Sequence, residues 1–239
     1  MRMTLPETPS TARMIDYWLG GTRHHPVDVA AAKAFEGAYG PCADIFRSLR
    51  AFSGRAVRHV RAGGVDRFLV FGAGIPAQGA VHEVAPDARV RYVDVDPEVV
   101  AAGAAIVEGL PGVSYVHGDV TEPSALPASF ADGPVCVVFL GVAAFPDDET
   151  LARTLDALYE AVPAGSVLAF DFDATELRAY PEALAMMGPG FHMREPERFA
   201  ALLGRWRVDD EGIVPVAQWR PDGPADVVPD AFWGGLARK

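Results

Sequence analysis

Five apolar runs of five to seven residues, spaced along the chain with helical patterns between them, constrain its fold more than any other feature. They are RFLVF (67–71), RVRYVDV (89–95), VSYVHG (113–118), VCVVFLG (135–141) and SVLAFDF (166–172). Runs this short and this apolar read as strands buried on both faces. Helical patterns fall at 76–85, 97–109 and 149–162. In the last of these, Leu151, Leu155, Leu158 and Val162 share one face. Pro97 stands where a helix start tolerates it. Strands joined through helices must be parallel, and right-handed crossovers place the helices on both faces. The prediction is an α/β, doubly wound, mostly parallel sheet.

Two flanks complete the chain. Residues 10–62 read as two or three helices, the first capped by Ser10 and ended at Gly20–Gly21. We read 1–62 as a helical cap or lid and 63–239 as the main domain. Residues 174–203 are helical again, with an interruption at Met187–Pro189. In the tail, RWRVDDEGIVPVAQW suggests two strands joined at Asp-Asp-Glu-Gly as an antiparallel hairpin.

Chemistry concentrates at the carboxyl ends of consecutive strands, where open α/β sheets bind ligands. Gly72 and Gly74 follow the first strand, Asp94 and Asp96 end the second, and Asp119 follows the third. Glycines let the backbone approach a ligand, and a carboxylate some 20 residues later is placed to accept from both hydroxyls of a ribose. A further carboxylate can accept from an adenine amino group. Asp94, Asp96 and Asp119 can equally serve as local caps.

This arrangement resembles S-adenosylmethionine-dependent methyltransferases. The blocks PSTARMIDYWLGGTRHHPVD, VHEVAPDARVRYVDVDP and EGIVPVAQWRPDG narrow the resemblance to an actinobacterial family of S-adenosyl methyltransferases. It implies a Rossmann-like sheet of the class I type with a C-terminal hairpin, an S-adenosylmethionine pocket at Gly72, Gly74, Asp94, Asp96 and Asp119, and a small-molecule substrate in secondary metabolism. The chain departs from the family pattern at Val70, where an Asp is usual, at Ala73 in place of Thr, and in Gly141–Phe145, which lacks a His. The segment between VHEVA and PDARV is about one helical turn short. Losing one charge-assisted hydrogen bond costs about 1.5–3 kcal/mol, or roughly ten- to hundredfold in affinity. Affinity for S-adenosylmethionine is therefore expected to be weak or undetectable, and Val70→Asp is expected to raise it.

Catalytic candidates sit near the start. His24 and His25 titrate near neutrality and suit proton transfer. Arg23 is placed to meet an anion, and Asp16 and Tyr17 lie on the preceding helix. These five could line a lid over the pocket or an ordinary solvated loop. No third ligand is spaced to make the histidines a metal site. Asp171 and Asp173 end the fifth strand, where they could line the substrate side. His82 and Glu83 read as structural, and Trp206 and Trp219 as packing.

Composition removes several classes. The net charge of −11 opposes nucleic-acid binding. No apolar run is long enough to cross a membrane, and the N-terminus shows no secretory signal. Cys42 and Cys136 lie far apart, with Cys136 inside a core run. The expected setting is cytoplasmic, with a homo-oligomer or a protein partner possible. Beside small-molecule methyl transfer stand two alternatives. One is an enzyme on this fold that does not use S-adenosylmethionine and promotes cyclisation, elimination or hydrolysis. The other is a non-catalytic partner subunit.

Overall fold

In the computed structural model, residues 8–122, 128–224 and 232–239 are described below. The strands that they contain form one eight-stranded sheet. Its parallel part comprises β1 (Arg67–Phe71), β2 (Arg89–Asp94), β3 (Val113–His117), β4 (Cys136–Phe139) and β5 (Val167–Asp173). The order is β3-β2-β1-β4-β5. β1 is central, with Val70 level with Tyr92 on one side and Val138 on the other.

Period-two alternation divides the core between the two faces. Leu69, Phe71, Val137, Phe139, Leu168 and Phe170 point to one side, against α7 (Asp148–Ala161) and α9 (Pro196–Leu202), while a single turn, α6 (Ala128–Ala131), precedes β4. The expected face of Leu151, Leu155, Leu158 and Val162 is the one α7 buries. Phe68, Val70, Val90, Tyr92, Cys136 and Val138 point to the other, toward Phe52, Ala56, Val57 and Val60 of α3 (Cys42–Ala62). Trp206 and Trp219 are core residues, with Trp206 Nε1 donating to Leu155 O at 2.9 Å.

The N-terminal flank forms three helices, α1 (Thr11–Trp18), α2 (Pro26–Tyr39) and α3. Ser10 occupies the N-cap of α1 but makes no side-chain cap bond; its amide donates to Asp28 Oδ1 instead. Gly20 ends the helix at φ +78°.

Two expectations need correction. The helix after the glycine loop is one turn, α4 (Val81–Val84), not 76–85, because Gln78 and Gly79 both take positive φ. The tail is not a hairpin either. β6 (Arg207–Val208) and β7 (Val214–Pro215) do not pair with each other. Both lie along the same edge of a last strand, β8 (Phe232–Arg238), which runs antiparallel to β5. Asp-Asp-Glu-Gly is an insertion bulging out of an interrupted edge strand. Gly234 and Gly235 hide β8 in the sequence, since paired glycines weaken a strand pattern. Both are needed there: a Cβ on Gly234 would lie 2.4 Å from Phe170 O, and one on Gly235 2.6 Å from Gly212 O.

The flank after β5 is a 3₁₀ turn (Thr175–Ala179), α8 (Pro181–Met187) and α9, with α8 and α9 separated as expected after Met187.

Candidate functional site

A cavity of about 810 Å³ opens at the carboxyl ends of β1, β2 and β3, and Gly72, Gly74, Asp94, Asp96 and Asp119 all line it. Each is there for a local reason. Gly72 takes φ +58°, and a Cβ on it would lie 2.4 Å from Val142 Cγ2. Gly74 N donates to Asp94 Oδ2 at 2.9 Å, and Tyr115 OH donates to Gly74 O at 2.7 Å, which pins the loop from both sides. Asp94 Oδ1 accepts from Asp96 N at 3.0 Å. Each Asp94 oxygen keeps a further lone pair for a ligand hydroxyl.

Asp96 caps α5 (Pro97–Val107), with Oδ1 accepting from Glu98 N and Val99 N. Asp119 Oδ1 accepts both the amide and the hydroxyl of Thr121. Val95 and Phe145, 60% and 61% exposed, also line this cavity. Apolar side chains left open beside carboxylates suit a flat, hydrogen-bonding ring with a hydroxylated appendage.

α1 forms a wall of the cavity through Ala12, Arg13 and Ile15. Arg13 ties it down: Nε donates to Asp28 Oδ2 (2.9 Å), Nη1 to Glu98 Oε2 (3.1 Å) and Nη2 to Thr8 O (2.9 Å). Asp28 is fully buried and also accepts from the amides of Ser10 and His25. Burial alone would raise its carboxyl, but these donors outweigh burial and hold it below its ordinary value. Sequence reasoning passed over Arg13, although it lies inside the quoted STARMIDYWLGG block.

The five catalytic candidates gather elsewhere. None of Asp16, Tyr17, Arg23, His24 and His25 lines the large cavity. Buried Asp16 accepts through Oδ2 from Arg23 N (2.7 Å) and pairs with His24 Nδ1 (3.0 Å). The His24 ring meets Tyr17 edge-on at 5.3 Å. His25 is the N-cap of α2 and forms a capping box with Asp28. Asp16 and Arg23 border a separate hollow of about 250 Å³ with Gln78 and Glu83. These contacts fold the loop after α1 back onto it.

His82 is structural, its Nδ1 2.8 Å from Tyr92 OH, and Glu83 accepts from Gly79 N. Asp171 and Asp173 are buried and line neither this cavity nor the hollow. Asp171 Oδ1 holds Gly141 N at 2.7 Å, and burial pushes its carboxyl up to about 7. Burial, then the neighbouring Asp171, raises Asp173 well above its ordinary value.

A second, smaller pocket of about 130 Å³ lies past the glycine loop, lined by Arg50, Ser53, Val70, Ala73, Tyr92 and Leu140 among others. It shares Ala12, Ile15, Phe71, Gly72, Gly74 and Gly141 with the large cavity, so the two border the same loop. The departures at Val70 and Ala73 fall on this small pocket, while the carboxylates at the ends of β2 and β3 face the large one. Among the described residues, no group of side chains is arranged to hold a metal ion. Nor is any helix among them long and apolar enough to cross a membrane.

The family model described as S-adenosyl methyltransferase matches residues 4–239. A crystal structure of a Thermobifida fusca protein, provisionally assigned as a methyltransferase, shares 28% identity with a TM-score of 0.88, over 97% of this chain and 95% of that one. A DUF574 family protein from Streptomyces avermitilis also shares 28% identity, with a TM-score of 0.85 over 98% of each chain. At 12% identity, magnesium protoporphyrin IX methyltransferase from Synechocystis, solved with bound S-adenosylhomocysteine, has a TM-score of 0.62 over 95% of this chain and 92% of that one. Its likeness bears on the fold alone. None of the curated proteins matches the chain.

Proposed function

This chain belongs to the S-adenosyl methyltransferase family, and from that premise we propose that it transfers the methyl group of S-adenosylmethionine to a small molecule. The observation that carries the reading is the joint lining of one 810 Å³ cavity by Gly72, Gly74, Asp94 and Asp119. Asp94 would accept from the ribose hydroxyls, Asp119 from the adenine amine, and Val95 and Phe145 would cover the ring. When bound, the cofactor supplies an electrophilic methyl group on sulfur. The chain's own part is positioning. α1, strapped to α2 and α5 through Arg13, closes one wall, and Gly141, held by Asp171, forms another. Fixing two reactants at contact distance accounts for most of the acceleration in a displacement of this kind.

Calorimetry with S-adenosylmethionine and S-adenosylhomocysteine tests the proposal. Wild type is expected to bind both, and Asp94→Ala to weaken both by roughly ten- to hundredfold. Unchanged affinity in Asp94→Ala would refute this use of the cavity. A second reading, an enzyme on this fold working without S-adenosylmethionine, draws on Val70 and Ala73 in the small pocket. It gains if neither adenosyl ligand binds.

A further inference from the structure

We propose that Arg50 makes the small pocket beside the glycine loop a carboxylate-binding subsite, so that an adenosyl ligand is held there by the acid end of its amino-acid arm and not by its amine. The inference rests on the adenosyl reading above and adds a specificity to it.

Arg50 projects from α3 into the pocket bounded by Val70, Ala73, Tyr92 and Leu140, with Ser53 one turn further along the same helix. Among the described lining residues it is the one charged side chain, and no carboxylate borders the pocket. Arg13, by contrast, is committed to Asp28, Arg55 to two backbone carbonyls, and Arg194 to Asp148 and two carbonyls. The Arg50 guanidinium interacts with Tyr92 and Glu83 electrostatically, without a hydrogen bond to either. Glu83 instead accepts from Gly79 N at 2.5 Å. Burial pulls Arg50 below its ordinary value, against the opposing influence of Tyr92 and Glu83.

A half-buried guanidinium gains most from a planar anion that it can grip with two parallel hydrogen bonds. An ammonium in the same space meets a like charge and, at Val70, an apolar wall. The end of β1 thus offers this space an apolar wall at Val70, with the Arg50 cation facing the same pocket. Because the two pockets share the glycine loop, Asp94 and Arg50 line adjoining spaces beside it.

The test compares four thioethers of adenosine by calorimetry on the full chain. They are S-adenosylhomocysteine, the deaminated carboxypropyl compound, the decarboxylated aminopropyl compound, and methylthioadenosine, which has no arm. Wild type is expected to bind the carboxypropyl compound within severalfold of S-adenosylhomocysteine, and the aminopropyl compound roughly tenfold or more weaker. Arg50→Met should erase that preference and leave methylthioadenosine unaffected, while Arg50→Lys should keep a reduced preference for the acid. Equal binding of both arms by wild type overturns the proposal, with no variant needed. A preference that survives Arg50→Met overturns it as well. If methylthioadenosine binds and the arms make no difference, the adenosyl reading stands and this inference alone falls. If none of the four binds, both fall.

Discussion

Asp171 shows how one buried residue can set a pH dependence of stability. It is buried at the end of β5, with Oδ1 holding Gly141 N and Oδ2 without a partner among the described residues. Burial lifts its carboxyl from 3.8 to about 7 in the folded chain. Between those values the folded state holds a proton that the unfolded state has released. This contribution to stability is thus complete below pH 3.8 and is lost as pH rises toward about 7. Asp171→Asn keeps an acceptor for Gly141 and removes the titration. Its melting temperature should therefore fall less steeply than wild type over that window. Asp173, raised in the same sense, leaves some slope behind. Melting curves from pH 4 to pH 7 check this, and parallel profiles would refute it. Val70 is the other instructive residue. Its missing carboxylate was visible in the sequence, but the cation that shares its pocket comes from α3, twenty residues earlier. An Asp at residue 70 would now meet Arg50 before any ligand amine.

Among the elements, α1 depends most on a single side chain. It has eight residues, too few to be stable alone, and Asp28 at the start of α2 joins it to its neighbours. Asp28→Ala leaves the Arg13 guanidinium without its buried partner and two amides without an acceptor, at a cost of about 3–5 kcal/mol. In a chain of this length that lowers the melting temperature by on the order of ten degrees. The loss should be larger above pH 3.8 than below it. Asp28 is held below that value when folded, so its contribution is present above 3.8 and disappears as pH falls through the folded value. Hydrogen exchange should quicken over residues 10–28, and adenosyl affinity should drop because α1 walls both pockets. Unchanged exchange there would contradict the strap. At the opposite edge, β6, β7 and β8 show a limit of local reading. A turn signal was present at Asp209–Gly212, but which strand each side would pair with depended on a segment some twenty residues later.

For the molecule as a whole, the sequence suggests a division near residue 62, and the packing bears on how separable the two parts are. The first half of α3 packs with α2, through Cys42 and Ile45, and its second half packs on the sheet, through Phe52, Ala56, Val57 and Val60. A fragment of residues 63–239 would expose Phe68, Val70 and Val138 where those side chains lie. Burial of a single large apolar side chain is worth about 1.5–3 kcal/mol, and marginal stability does not survive losing several. The fragment is expected to be unfolded or aggregated by circular dichroism, and the full chain to melt in one transition. A fragment that folds cooperatively would establish two independent units.

Apolar runs at strand length, separated by helical spacing, determined the parallel sheet, the central place of residues 67–71 and the strand ends that open onto the large cavity. Those properties depend on periodicity and on chain connectivity, both local. The glycine loop and the carboxylates Asp94, Asp96 and Asp119 were legible for the same reason, since each follows directly from a strand. Tertiary structure alone decided what surrounds them: Arg50 reaching the loop from α3, Asp28 drawing Arg13 over the cavity, and Asp16 turning His24 away from it. Such pairings join residues without a common period, so their partners follow from packing and charge compensation in three dimensions. Spacing along the chain carries no trace of them.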